Sequence, residues 1–181
     1  GVKVTIHPRL SPHGLTVRES RDSDSNPNSR AIIVGCDLTG SMMNVPRDIQ
    51  RALPALMGLL LRSGVADPHV MIAGFTDAHS SGNEAWLQMG QFEGGNEIEN
   101  DLGNLWLEGG GGGSSEESSE LLLWAAGHKT AIDCFEKRGQ KGYLFIITDE
   151  KAYGPKTPVT VEKVFGPGQE MTRQMSIAEV L

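Results

Sequence analysis

Apolar positions fall into a few short continuous runs separated by stretches of helical periodicity. Ala31-Ile32-Ile33-Val34-Gly35-Cys36 follows Arg30 and stops at Asp37. An apolar run of this length between polar boundaries reads as a strand buried on both faces. Residues 69–76, 85–92 and 143–148 read as further strands, the last being Tyr-Leu-Phe-Ile-Ile-Thr before Asp149. Between them, residues 46–62 carry Ile49, Leu53, Leu56, Met57 and Leu60 at helical spacing, with Pro46 suited to a first turn and Pro54 expected to kink the helix. Ile98, Leu102, Leu105 and Trp106 predict a helix over 96–107, and residues 121–136 read as one helix that Gly127 can interrupt.

The two ends of the chain carry weaker patterns. Val2, Val4 and Ile6 alternate with Lys3 and Thr5 as in a short strand, which Pro8 and Pro12 end. Residues 17–30 are polar and read as an arm. Residues 159–164 fit a short strand or a helix, and Ser176 is placed to cap a helix opening at Ile177. Strands alternating with helices predict an α/β fold, a Rossmann-like doubly wound and mostly parallel sheet with helices on both faces. The expected organisation is an N-terminal strand and polar arm over 1–29, then a domain over 30–181.

Composition narrows the function. The chain has 181 residues, enough for one domain with a real core, and a formal net charge of −7. That charge, with no basic stripe, argues against a general nucleic-acid binder. Cys36 and Cys134 lie within apolar patterns and read as buried thiols, which suits a reducing, cytoplasmic compartment. No signal peptide or long apolar span is read, so no membrane partner is expected. Asp22, Asp24 and Asn26 match the first donor positions of an EF-hand loop, but Pro27 stands where Gly is required and Ile33 at the twelfth position, so calcium is rejected there.

The chemistry centres on Asp37-Leu38-Thr39-Gly40-Ser41. One carboxylate and two hydroxyls at alternate positions after a strand form a hard-oxygen donor set suited to Mg²⁺, Mn²⁺ or Ca²⁺. The alternative is a strand-to-helix turn whose polar residues only cap the helix. In open α/β sheets, ligands sit outside the carboxyl ends of strands, so Asp149 can converge on Asp37 if their strands are neighbours, with Asp77 at the edge. The run of five glycines over 109–113 can bring backbone close and present Ser114 or Ser115; alternatively it is a linker, or Ser114 and Glu117 form a capping box. The run lacks the Lys of a phosphate-binding P-loop. Of the five histidines, His79 alone follows a candidate acid closely.

Asp37-Leu38-Thr39-Gly40-Ser41 resembles the D-x-[ST]-x-S motif of von Willebrand factor A domains, and Ile146-Ile147-Thr148-Asp149 resembles that family's later acidic position. Residues 109–115 are similar to its Gly-rich third metal-site segment, with Ser114 or Ser115, or a nearby Glu116 or Glu117, where the family usually has Thr. Thr39-Gly40-Ser41-Met42, Gln91-Phe92-Glu93 and Glu136-Lys137-Arg138-Gly139 resemble a bacterial and phage branch. The resemblance implies a sheet whose third strand is an antiparallel edge, with the last strands shortened or missing after Tyr153. It implies a metal-ion-dependent adhesion site made of Asp37, Thr39, Ser41, Ser114 or Ser115, and Asp149, holding Mg²⁺ (or Mn²⁺ or Ca²⁺) for a carboxylate of a partner protein, without catalysis. Family-level partners include AAA+ ATPases of the MoxR type. Two other readings stand beside it. One is a structural component of a larger assembly with an empty or vestigial site, joined through the C-terminal sheet edge. The other is a Mg²⁺-dependent phosphohydrolase of the haloacid-dehalogenase kind, which needs a second Asp where Thr39 stands.

Overall fold

The computed structural model of the chain describes residues 4–42, 44–79, 84–108, 116–153, 158–169 and 177–180. A 3-10 turn at Pro8–Leu10 leads to β1 (Arg18–Ser20), then β2 (Ser29–Asp37), a second 3-10 turn at Gly40–Met42 and helix α1 (Val45–Arg62). There follow β3 (Asp67–Phe75), β4 (Leu87–Glu93), α2 (Glu97–Asn104), β5 (Glu116–Glu117), α3 (Ser119–His128), β6 (Thr130–Ile132) and α4 (Asp133–Glu136). Strands β7 (Tyr143–Ile147) and β8 (Lys151–Ala152) and helices α5 (Pro158–Phe165) and α6 (Ile177–Val180) complete the order. The architecture is α/β, with mixed sheets and mostly parallel strands.

The main sheet has the order β4-β3-β2-β7. β2 runs parallel to both neighbours, and β4 lies antiparallel at the edge. Eight of the nine β2 residues are buried, only Arg30 being half-buried, because the strand is covered on both faces. Its alternation divides the core. Ile32, Val34 and Cys36 pack with Val70 and Ile72 beneath Leu53 of α1 and Ile98 and Leu102 of α2. Ala31 and Ile33 pack on the other face with Met71, Ala73 and Phe75 against Leu121, Leu122 and Trp124 of α3 and Val161 and Phe165 of α5. Gly35 sits where Leu122 presses on the strand, and a Cβ there would overlap the leucine side chain. Among the described residues β7 has β2 as its one strand neighbour, and Tyr143 and Phe145 remain about half exposed.

The amino end of β2 is tied by charge. Asp22 accepts from Ser29 Oγ at 2.7 Å and from Arg138 Nη1 at 2.7 Å, while Arg138 Nη2 donates to the Ser29 carbonyl at 2.7 Å. Asp133 accepts from Arg21 at 2.8 Å and from the Asp22 backbone N–H at 2.8 Å, and pairs with Lys137 at 2.6 Å. The Lys137 ammonium, with the Asp22 N–H and Arg21, holds the Asp133 carboxyl down at about 2, and the Arg138 guanidinium, with Ser29, holds Asp22 well below the carboxylate range.

Several sequence expectations are corrected. Residues 4–7 form no strand; Ile6 packs against the core face carrying Leu53 instead of pairing. Part of the polar arm is β1, which pairs in parallel with β6, Arg18 opposite Thr130. The single helix expected over 121–136 is broken at Lys129. Trp124 and Ala126 offer carbonyls to His128 and Thr130 side chains there, and β-branched Thr130 and Ile132 extend into β6. The helix expected over 96–107 ends at Asn104, and the Gln88 side chain then accepts from Trp106 N–H and donates to its carbonyl. Of the two alternatives for residues 159–164 the helix is the one formed, and Pro54 lies inside α1 as expected. Ser176 lies outside the described residues. Among the described residues, no helix is long and apolar enough to cross a membrane.

Two outcomes are expected. Folded Asp22 and Asp133 titrate below their ordinary 3.8, so the stability they contribute is present above that value and lost as pH falls toward about 2. The urea midpoint therefore falls between pH 4 and 2, and the fall is shallower in Asp133→Asn. Gly35→Ala destabilises by roughly 1–3 kcal/mol in urea titration through overpacking. Combined with Leu122→Ala it costs less than the sum of the two single changes, because the clash has been removed.

Candidate functional site

The site lies beyond the carboxyl ends of β2 and β7. The parallel register sets Cys36 beside Ile147, so the residues that leave the two strands, Asp37 and Thr148, emerge together. Asp37 has no exposed surface, and both of its oxygens are engaged. Oδ1 accepts from the Thr39 N–H at 2.9 Å and from the Thr39 hydroxyl at 2.6 Å; Oδ2 accepts from the Thr148 hydroxyl at 3.0 Å. The chain then closes the 3-10 turn, Met42 N–H donating to the Thr39 carbonyl at 3.0 Å. That turn carries Ser41, whose hydroxyl donates to Asp149 Oδ1 at 3.3 Å. Four of the sequence-predicted residues, Asp37, Thr39, Ser41 and Asp149, thus come together in two hydrogen-bonded pairs that Thr148 links. Ser114 and Ser115, and the glycines over 109–113, lie outside the described residues.

The segments flanking that run both reach the site. Glu108 N–H donates to the Leu38 carbonyl at 3.1 Å. Beyond the run, β5 is fixed by parallel pairing with β8, Glu117 opposite Ala152, and by Ser118 N–H donating to the Thr76 carbonyl at 3.3 Å. Glu117 is buried. Burial, reinforced by the charges of Asp37, Asp77 and Glu108, pushes its carboxyl up to about 8. Asp77 is fully buried after β3; its Oδ1 accepts from Tyr153 hydroxyl and from His79 N–H, each at 2.7 Å. The His79 and Tyr153 rings lie 4.2 Å apart. Glu120 of α3 is buried as well.

The donor chemistry is oxygen only: the carboxylates of Asp37 and Asp149 with the hydroxyls of Thr39 and Ser41, a hard set that fits Mg²⁺ or Ca²⁺ better than a thiophilic metal. Among the described residues, no three His, Cys, Asp or Glu side chains group as a metal-holding cluster. An ion here therefore draws on hydroxyls as well as acids. Burial, with the Asp37 charge adding to it, pushes the neighbouring Cys36 thiol up to about 12, so Cys36 is a packing residue and not a nucleophile.

Sequence reading missed Thr148 as a partner of Asp37, although a hydroxyl immediately before the later acid was its visible signal. It named Glu117 only among several acids near the run. Tyr153 carried no signal, because its role depends on the β5–β8 pairing.

No family model matches the chain, and no curated protein matches it. Among solved structures, the chain is similar to the crystal structure of the pilus adhesin SpaC from Lactobacillus rhamnosus GG, with a TM-score of 0.50 and 14% sequence identity. The match covers 75% of this chain and 17% of the adhesin chain, so this chain spans a small part of that protein's length. At this identity the likeness is one of fold.

Proposed function

We propose that the chain is a metal-dependent protein-interaction domain of the von Willebrand factor A kind, built on a Rossmann-like doubly wound sheet. The observation that carries this reading is the meeting of Asp37, Thr39, Ser41 and Asp149 at the carboxyl ends of neighbouring parallel strands, with Thr148 joining the two halves. A divalent cation, Mg²⁺ first and Mn²⁺ or Ca²⁺ as substitutes, is held by these residues, with Ser114 or Ser115 as third-segment candidates. When bound, it supplies a positive charge that accepts a carboxylate from a protein partner. The chain's own residues orient the site. Thr39 and Thr148 fix the Asp37 carboxylate, and the Ser41 hydroxyl keeps Asp149 turned inward.

The partner is a protein presenting an acidic side chain, with a MoxR-type AAA+ ATPase as one such class, in a cytoplasmic setting of bacterial or phage origin. The half-exposed Tyr143 and Phe145 at the β7 edge support a second reading, a component that assembles through this edge. The phosphohydrolase reading has weaker support: the Thr39 hydroxyl is spent on Asp37 and offers no general acid or base.

Calorimetric titration with Mg²⁺, Mn²⁺ and Ca²⁺ tests the proposal. Wild type is expected to bind one ion, and Asp37→Ala to lose the heat altogether. Absence of heat with all three ions in the wild type overturns it. Thr148→Val, which removes only the hydroxyl on Asp37 Oδ2, is expected to weaken binding by about 10- to 100-fold, as loss of an outer partner of a metal ligand typically does. Hydrolysis of a phosphoester panel, abolished by Asp37→Asn, is the outcome that would favour the enzyme reading.

A further inference from the structure

The two edges of the main sheet are finished differently. At β4 the pairing with β3 shifts register between Met71 and Ala73, and Arg18 of β1 covers the strand, its guanidinium donating to the Met89 carbonyl at 2.7 Å. Bulges and covering segments are the ordinary means of closing an edge. Among the described residues β7 has neither; its one strand neighbour is β2, and residues 143–147, Tyr-Leu-Phe-Ile-Ile, contain no charge and no proline. Alternate residues of such a strand turn N–H and C=O groups outward, a template for one more strand. Phe145, at the middle of the strand, is 53% exposed, and its ring lies 6.3 Å from that of Tyr143. Phe145 also lines a groove of about 520 Å³ between β7 and α1, whose other wall is Ile49, Ala52, Leu56 and Leu60.

The sequence of this edge is complementary to itself. Counted outward from Phe145, antiparallel pairing of two copies sets Leu144 opposite Ile146, Tyr143 opposite Ile147, Gly142 opposite Thr148 and Lys141 opposite Asp149. Aromatic with β-branched and cation with anion are favourable cross-strand pairs. Lys141 and Asp149 are both exposed, and Lys141 has no ion pair of its own among the described residues. We propose that β7 pairs antiparallel with β7 of a second copy of this chain, about a two-fold axis at Phe145. This deepens, and rests on, the reading of β7 as an assembly edge; the cation plays no part in it. The contact uses the same surface on both copies, so it closes at two and joins their four-stranded sheets into one. The net charge of −7 opposes self-association at long range, so the local match of Lys141 with Asp149 is what selects the register. The carboxyl ends of the two β2 strands face opposite ways in such a dimer, which therefore presents two sites to two partners.

Sedimentation velocity of the full chain in buffer containing a metal chelator, from micromolar to submillimolar concentration, tests this together with hydrogen exchange over residues 143–147. Wild type is expected to dimerise, with exchange in that segment slowing as concentration rises. Phe145→Lys, which sets two cations opposite each other at the axis, is expected to be monomeric throughout. Lys141→Glu is expected to weaken dimerisation by about 10-fold, two opposite-charge pairs having become like-charge pairs, and Lys141→Glu combined with Asp149→Lys is expected to restore it. A wild type that stays monomeric overturns the self-pairing and leaves the edge to another molecule. A dimer whose segment 143–147 exchanges as in the monomer overturns the edge reading as well. Dimerisation unmoved by Lys141→Glu, or weakened by it and not restored by the double change, overturns the register and with it the proposal. Should Phe145→Lys fail to fold, the variants at the exposed Lys141 decide alone.

Discussion

Asp37 is a carboxylate with no access to water, and the carboxyl end of the sheet is arranged around keeping it satisfied. An unsupported buried charge costs far more than any single packing contact returns. Here the support comes from two directions. The turn that follows β2 folds back so that Thr39 donates twice, and β7 must lie in parallel, in one register, for Thr148 to donate to the other oxygen. A shift of β7 by one residue would reverse which side chains face each core layer and remove Thr148 from its acceptor. The local turn, the strand pairing and the two-faced core are therefore mutually conditional.

The two ends of β2 use charge in opposite ways. At the amino end, Asp22 and Asp133 are matched by Arg21, Lys137 and Arg138, so acids and bases close a clasp. At the carboxyl end, Asp37, Asp77, Glu117 and Glu120 are buried acids, and Asp37 accepts from two hydroxyls and a backbone N–H. Where evolution needs only stability, the first arrangement suffices. The second gathers acids beside the turn that carries Thr39. Cys36 and Gly35, directly before Asp37, keep that end of the strand tightly packed and chemically inert.

Much of this could be read from residue order. Continuous apolar runs located β2, β3 and β7, since strands buried on both faces need no alternation, and the Asp-x-Thr-x-Ser spacing identified the turn that carries the donors. Legibility failed where structure depends on partners distant in sequence. Arg18 to Ser20 are too polar to suggest a strand, and become one because β6 offers an edge. Residues 130–132 follow a helical pattern and leave it for the same reason. Glu117 read as a capping-box partner of Ser114 or as one of two acids near the glycine run, and its burial depends on β8 and Tyr153, which no local pattern reveals.

The hydrogen bond from Thr148 to Asp37 spans 111 positions of the chain. A ribosome adding about 5–20 residues per second takes roughly 5–20 s to travel that distance. During that interval β2 can gain β3 as a neighbour but not β7, and Asp37 can be served by Thr39 alone. The half-made sheet keeps one flank of its central strand open, with an acid that cannot yet be buried at low cost. Closure of this sheet therefore waits for residues 143–148, and until they emerge the central strand keeps one flank unpaired.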